Sequence, residues 1–272
     1  MSKLALVDWR LPVCGSDAIQ FFAENGIGAL QIDFGGPGRA PTLDNPEKQE
    51  AILNARSLYN ITLLALSANQ FNDIGFKFRL DQTGSKRIQK LIISILNVAY
   101  LFSVPLVFFP NFHAGIIRDR ATLMLTASYF RWACREAQDR QLLLASENDL
   151  SVSWAKQLID LVGSKNFRLI FDSYNYIRAG HSANEVLLDL DGYFAPQVHL
   201  KEGLKLEDGA VPFGSGDGNV SSIINILQKK NWVKWYVLEN DYRYRGLKLL
   251  HNDIKWITTC LQNSNRTKIK GI

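Results

Sequence analysis

The chain has 272 residues, of which 47% are hydrophobic and 21% are charged. This is the composition of an ordinary globular protein with enough apolar material for one large core, and it excludes a disordered or fibrous chain. The formal net charge of +5 permits an anionic partner. The basic residues are scattered, however, so we predict no nucleic-acid surface.

Two features indicate where the protein resides. The three cysteines, Cys14, Cys134 and Cys260, are widely spaced and form no CxxC pair, which predicts a reduced, cytoplasmic protein. The first ten residues, MSKLALVDWR, have no apolar signal-peptide core and predict a first strand. The charge-free run from Leu91 to Phe109 is interrupted by polar residues and proline, and its period changes from helical to continuous. We therefore expect a buried helix followed by a buried strand, and no membrane segment.

In chain order, strand-like apolar segments alternate with amphipathic segments. The predicted strands are residues 4–9, 29–34, 62–68, 105–110, 142–147, 168–173, 196–200 and 235–240. The predicted helices are residues 16–25, 46–59, 85–101, 119–140, 151–162, 182–190, 221–230 and 246–261. Such alternation implies a parallel sheet, because each return crossover needs about a dozen residues.

The predicted fold class is α/β, as a closed (β/α)8 TIM barrel that forms a single domain over residues 1–272. An open doubly wound sheet is the alternative architecture. Against it, no GxGxxG motif follows the first predicted strand, where DWRLPVCGS stands instead.

Four potential metal ligands close the last four predicted strands: Glu147, Asp172, His199 and Glu239. In a barrel all these strand ends open on one face, so the four side chains can converge. Crowded carboxylates raise one another's pKa and need a counter-charge, which one divalent cation supplies. The ligand set is mostly oxygen, so we expect Mn²⁺ first, with Mg²⁺, Co²⁺ or Zn²⁺ as alternatives. Each residue alone also fits a helix cap, an ion pair or a structural histidine.

The segments ASEN, FDSYN, HLKEG, VPFGSGDGNV and VLEN resemble the xylose isomerase-like TIM-barrel superfamily, the sugar phosphate isomerases and epimerases. The resemblance runs through nearly the whole chain. It implies metal-dependent isomerisation or epimerisation next to the carbonyl of a sugar, sugar phosphate or related polyol ketone, by proton transfer through an enediolate. Glu147 and Glu239 would then be the catalytic proton-transfer pair as well as metal ligands, while Asp172 and His199 would only hold the metal.

Several further residues are predicted to contact the small polyhydroxy carbonyl substrate, for which an anionic form remains open. They are Asn175, Lys201, His113, Asn111, Lys205, Gly214 and Gly216, with Trp9 and Asp33 as additional candidates at the first two strand ends. Asn175 stands where the family's ketose 3-epimerases have a histidine, and Ser153 where they have a second glutamate, so the substrate is expected to differ. Lys201 and Lys205 can meet a phosphate or carboxylate. The glycines would let the backbone approach a ligand closely.

The connection from residue 69 to residue 84 is long for a loop between a strand and a helix, and it carries Phe71, Phe76 and Phe78. One interpretation is a lid that excludes water from the reaction. The other is an apolar loop packed on a neighbouring subunit, which would suit a homodimer.

Other functions on the same barrel stay open. A metal-dependent dehydratase of a cyclic polyol ketone, similar to inosose dehydratase, would use the same ligands, and a non-catalytic ligand-binding barrel would keep them as structure. Phosphodiester cleavage of the endonuclease IV type needs more histidines than the four present, and two of these, His181 and His251, lie away from predicted strand ends.

Overall fold

The computed structural model describes residues 3–209, 211–244 and 246–269. The strands are β1 (Lys3–Val7), β2 (Ala29–Asp33), β3 (Thr62–Ser67), β4 (Leu106–Pro110), β5 (Leu143–Glu147), β6 (Phe167–Asp172), β7 (Phe194–Leu200), β8 (Gly203–Leu204), β9 (Glu207–Asp208) and β10 (Trp235–Leu238). All except β8 and β9 form a closed parallel barrel in the order β1-β10-β7-β6-β5-β4-β3-β2. The predicted TIM barrel is therefore confirmed.

Helices connect the barrel strands. They are α1 (Gly15–Glu24), α2 (Pro46–Tyr59), α3 (Phe71–Ile74), α4 (Lys86–Leu101), α5 (Arg120–Gln138), α6 (Val152–Val162), α7 (Asn175–Arg178), α8 (Ala183–Asp189), α9 (Val220–Leu227) and α10 (Gly246–Ile269). Short 3₁₀ turns cover residues 8–10, 83–85 and 113–115. Helix starts follow the expected capping chemistry: Asn45 accepts hydrogen bonds from the first turn of α2, and Asp119 forms a capping box with Thr122 at α5.

The charge-free run of the sequence forms α4 and β4, as expected. Every residue of β4 is buried, because helices cover the outside of the barrel and side chains fill the inside. Of the described helices, none combines the length and apolar character needed to cross a membrane.

Aromatic rings pack inside the barrel next to the site. Phe108 of β4 lies inside the barrel, and its ring centroid is 5.6 Å from that of His199 and 6.0 Å from that of Trp9. These aromatic rings form an apolar support beneath the carboxyl ends of the strands. The site therefore stands on a packed base, as is usual in this architecture.

The segment from residue 69 to residue 84 is anchored in the core. Phe71 and Phe76 are only 1% and 8% exposed, and the Phe76 ring stacks on Tyr129 of α5 with centroids 4.4 Å apart. A Cβ on Gly75 would lie 2.1 Å from the carbonyl oxygen of Ala114, so the loop after β4 packs directly against this segment. For Phe71 and Phe76 both sequence interpretations, the lid and the subunit contact, are therefore wrong.

Candidate metal centre

The four predicted ligands converge at the carboxyl ends of neighbouring barrel strands. One ligand atom from each of Glu147, Asp172, His199 and Glu239 lies within 4.8 Å of the others, and all four residues are buried. Atoms bound to one cation at about 2.1–2.4 Å can be up to about twice that distance apart. The spacing therefore fits a single ion.

Three buried atoms of this cluster face one another and the Lys201 ammonium: Asp172 Oδ2, His199 Nδ1 and Glu239 Oε2. The other oxygen of Asp172 accepts hydrogen bonds from the peptide N–H groups of Tyr174 and Asn175, at 2.8 and 2.7 Å. This local turn fixes the direction of Oδ2. The convergence of these atoms on one point fits a divalent metal.

His199 is oriented by a polar chain through the barrel interior. Its Nε2 lies 2.8 Å from Gln31 Oε1, Gln31 donates to Gln197 at 2.9 Å, and Gln197 donates to the Leu64 carbonyl at 2.7 Å. Because the Gln31 oxygen can only accept, this network assigns the proton to Nε2 of His199. Nδ1 then faces Glu239 Oε2 at 3.1 Å, with its lone pair available to a metal.

Lys201 supplies a positive charge inside the cluster. Its Nζ lies 3.1 Å from Asp172 Oδ2 and 3.1 Å from Glu239 Oε2, and its side chain is only 3% exposed. Lys201 was predicted as a substrate contact; the structure places its ammonium against two of the candidate ligands. It therefore offsets part of the carboxylate repulsion that the sequence indicated.

The pKa shifts follow from this arrangement. Burial raises the pKa of Asp172 to about 6, although the Lys201 ammonium opposes the rise. Burial would also raise the pKa of Glu239, but Lys201 and His199 outweigh it and hold that pKa well below its usual range. Burial would lower the pKa of His199, but the carboxylates of Glu239 and Glu147 raise it to about 10. Metal binding would therefore have to displace a proton from this imidazole.

A cavity of about 220 Å³ gives access to the cluster, and it is lined by Glu147 and Glu239 together with four of the predicted contacts, Trp9, His113, Asn175 and Lys201. The indole N–H of Trp9 donates to Glu239 Oε1 at 3.0 Å. The amide of Asn175 donates to Glu147 Oε1 at 3.1 Å. Trp9 and Asn175 thus orient the two carboxylates that were predicted to transfer protons.

The remaining predicted contacts lie outside the lining of this cavity. Asn111 is buried and accepts a hydrogen bond from Ser146 at 2.6 Å. Asp33 accepts from the peptide N–H of Asn69 and lines a separate cavity with Asp8. Lys205 is exposed in the turn between β8 and β9.

The glycine-rich loop packs on a carboxylate of its own chain. The peptide N–H groups of Gly214 and Gly218 donate to Glu202 at 3.0 and 2.8 Å. A Cβ on Gly216 would lie 2.0 Å from the carbonyl oxygen of Gly203. Gly214 and Gly216 therefore approach Glu202 and Gly203 of their own chain closely, and Glu202 occupies the peptide donor of Gly214. Neither glycine belongs to the lining of the cavity.

Five charged residues of the cavity lining were not predicted from the sequence: Arg10, Arg39, Arg178, Asp208 and Arg243. Arg10 directly follows Trp9 at the end of the first predicted strand, so its position was available as a signal. Asp208 lies in the two-residue strand β9 and Arg178 ends the four-residue helix α7. Elements this short have no readable period.

A family profile described as xylose isomerase-like TIM barrel matches residues 19–260. A 2-epi-5-epi-valiolone 7-phosphate 2-epimerase from Actinoplanes sp. is 33% identical over 267 residues, which are 98% of this chain and 97% of the relative.

Solved structures of the same architecture are more distant in sequence. A D-tagatose 3-epimerase-like protein superposes with a TM-score of 0.79 at 15% identity, covering 97% of this chain and 99% of that one. The IOLI protein with a binding zinc atom gives a TM-score of 0.78 at 15% identity, covering 96% and 99%. These structures support the fold. The extent of the profile and the identity to the Actinoplanes protein show that the chain belongs to the xylose isomerase-like TIM-barrel family.

Proposed function

We propose that the protein is a divalent-metal-dependent epimerase or isomerase that moves a proton at the carbon next to the carbonyl of a polyhydroxylated ketone. The carrying observation is the convergence of the four ligand atoms within 4.8 Å. The Actinoplanes relative, a 2-epimerase of a phosphorylated valiolone, supports the same class of reaction.

Glu147, Asp172, His199 and Glu239 would hold the metal, with Mn²⁺ expected first because three of the four ligands are carboxylates. When bound, the cation supplies electrophilic stabilisation for the negative charge that develops on the substrate oxygen. Asp172 and His199 are fixed by the turn at Asn175 and by Gln31, so they contribute position.

The surroundings of the two glutamates support different roles for them. Glu239 accepts from the Trp9 indole and has the cations Lys201 and Arg10 at 3.1 and 3.9 Å. Outside the metal cluster, Glu147 accepts from one neutral donor, the Asn175 amide. Fewer groups compete for the lone pairs of Glu147, which suits it to remove the proton. Glu239, on the other side of His199, would return it.

Solvent deuterium exchange tests this function. The purified protein, loaded with Mn²⁺, would be incubated in D₂O with a panel of ketoses, ketose phosphates and cyclic polyol ketones. We expect deuterium incorporation at the carbon next to the carbonyl, at least about 10³-fold slower in Glu147→Gln and in Glu239→Gln. Glu207→Gln removes an exposed carboxylate in β9 and serves as the control.

Two results would contradict the proposal. A folded, metal-loaded protein that exchanges no proton with any compound in the panel would indicate a ligand-binding barrel. Release of water from a cyclic polyol ketone, without deuterium in recovered substrate, would indicate a dehydratase. Elemental analysis of the same sample establishes which metal is present.

A further inference from the structure

The cavity lining contains a second set of polar groups, and these groups are donors. Arg178 and His113 line the cavity together with Asn69, whose buried side chain lies against the Asp33 carboxylate. In the described part of the chain, neither the Arg178 guanidinium nor the His113 ring makes a hydrogen bond. His113 begins the 3₁₀ turn after β4, and Arg178 is the last residue of α7, which follows β6.

Arg178 differs from the other guanidinium groups of the cavity in how its charge is neutralised. Arg10 donates to Asp208 at 3.0 Å. Arg39 donates twice to Asp73, at 2.8 and 3.1 Å, and Arg243 pairs with Asp241. The one ion pair of Arg178 in the described structure is a 3.7 Å contact with Asp208, a carboxylate already shared with Arg10 and with Lys201. Arg178 therefore retains the positive charge and donors to bind an anion.

The Arg178 guanidinium packs on the residue that precedes His113. It lies over the ring of Phe112, 5.8 Å from the centroid, and the peptide N–H of Phe112 donates to Asn72 in α3 at 3.2 Å. His113 itself has a left-handed backbone, with φ of 48°, a conformation that costs energy and is kept where surrounding structure imposes it. Arg178 and the loop that carries His113 are thus in contact at the cavity before any ligand binds.

The groups at this cavity have two kinds of requirement. Asp172, His199 and Glu239 converge in the metal cluster and suit a cation. Arg178 and His113 line the cavity with donors that suit an anion. A ligand that satisfies both has carbonyl and hydroxyl oxygens together with a fixed negative group.

We infer that Arg178 and His113 form the subsite for a phosphate monoester, so that the substrate is a phosphorylated polyhydroxy ketone. This inference rests on the proposed function for the other end of the substrate. A planar guanidinium binds phosphate through two parallel hydrogen bonds. The three terminal phosphate oxygens can also accept from His113, whereas a carboxylate has two oxygens in one plane. TIM barrels frequently bind phosphate at the loops after the seventh and eighth strands; here the donors follow the fourth and sixth strands.

Inorganic phosphate is the probe for this subsite. Its dissociation constant would be measured by calorimetry on the Mn²⁺-loaded protein, and its inhibition of solvent exchange would be measured in parallel. We expect Arg178→Gln to weaken phosphate binding at least about tenfold, because one charge-assisted interaction is lost. His113→Gln should weaken it about threefold. Arg39→Gln is the matched control, since its guanidinium lines the same cavity but is satisfied by Asp73, and it should change the affinity less than about twofold.

Three outcomes overturn the assignment. The subsite is wrong if the folded protein does not bind phosphate, or if Arg39→Gln weakens binding as much as Arg178→Gln. The assigned chemical class of the anion is wrong if acetate binds as tightly as phosphate and is equally sensitive to Arg178→Gln, because a carboxylate site would then be indicated. In the supporting outcome, a ketose phosphate has a KM at least about tenfold below that of the matching free ketose, and Arg178→Gln removes the difference.

The subsite and the proposed function fail separately. Glu147→Gln should abolish solvent exchange and keep the Arg178-dependent affinity for phosphate. If phosphate binds in this way and no compound exchanges, the subsite stands and the epimerase proposal falls. If free ketones exchange a proton with solvent and phosphate does not bind, the epimerase proposal stands and the subsite falls.

Discussion

His199 depends on two glutamines for the direction in which its free lone pair points. Gln31 accepts from Nε2 of the imidazole and donates to Gln197, which in turn donates to the Leu64 carbonyl. All of these side chains are buried, so solvent cannot replace a lost partner. The sequence shows why this support was not predicted: Gln31 lies in the middle of an apolar strand, where a lone glutamine has no recognisable pattern.

We expect Gln31→Met, which keeps the length of the side chain, to lower Mn²⁺ affinity about 10–100-fold, because His199 loses the partner that sets its tautomer. Titration of the metal-free protein with Mn²⁺, followed by electron paramagnetic resonance, measures the affinity. Gln20→Met on the exposed face of α1 is the control. An unchanged affinity in correctly folded Gln31→Met would mean that Nδ1 of His199 is not a ligand.

Asp8, which lies outside the metal cluster, is expected to make the free energy of unfolding depend on pH. It is 2% exposed, and burial, with a smaller contribution from the Asp33 carboxylate, raises its pKa to about 8. Since the folded pKa exceeds the unfolded value of 3.8, the folded state favours the protonated acid. The stabilisation is complete below about pH 4 and is lost, at about 1.4 kcal/mol per pH unit, as the pH rises towards 8.

Asp8→Asn should therefore be more stable than the wild-type protein at pH 9 by a few kcal/mol, and equal or slightly less stable at pH 5. The amide oxygen can still accept from the peptide N–H of Asp33, while the longer 3.3 Å bond from Gly15 is lost. Urea unfolding at the two pH values measures the difference. A constant difference at both would show that Asp8 does not titrate in this range.

At the scale of elements, the segment from residue 69 to residue 84 is divided between core and surface. Phe76 is surrounded by Phe71, Phe109, Tyr129 and Phe130, whereas Phe78 is 43% exposed. We expect Phe76→Ala to reduce the free energy of unfolding by about 3–5 kcal/mol. Phe78→Ala should reduce it by less than about 1 kcal/mol.

Urea unfolding of the two variants compares buried and exposed phenylalanines in one loop. Equal, small losses of stability, together with a raised KM in both variants, would support the interpretation of this segment as a lid. The expected result is instead a large loss for Phe76→Ala alone.

Long periodic elements were predictable and short ones were not. The bounds of α2 were predicted to the residue, because Pro46 marks its start. All four candidate ligands were predicted from strand ends. A buried apolar run that stops at Glu147 or Asp172 puts that side chain at the carboxyl face of the barrel. The hairpin β8–β9 and helix α7 are too short to have a period, so Asp208 and Arg178 were missed. Phe71 and Phe76 were misread because aromatic residues suit a lid and a core equally well in sequence.

For the whole molecule, the carboxyl face of the barrel concentrates negative charge that the fold must tolerate. Glu147, Asp172 and Glu239 lie together in the interior, with Lys201 and protonated His199 as counter-charges. A divalent ion that displaces the His199 proton would add one net positive charge where acceptors already converge. Binding to the folded chain alone stabilises it in proportion to the logarithm of metal concentration.

We expect Mn²⁺ at 100 times its dissociation constant to add about 2.7 kcal/mol to the free energy of unfolding. Asp172→Asn should lose nearly all of this gain, because it removes the charge of one of the four converging ligands. Asp8→Asn, whose carboxylate lies in a different cavity, should keep the full gain. Thermal unfolding with and without a chelator, at several Mn²⁺ concentrations, measures the dependence. A gain that is equal in wild type and Asp172→Asn would place the ion elsewhere on the molecule. A gain that depends on Asp172 ties the stability of the barrel to the same cation that the proposed reaction requires.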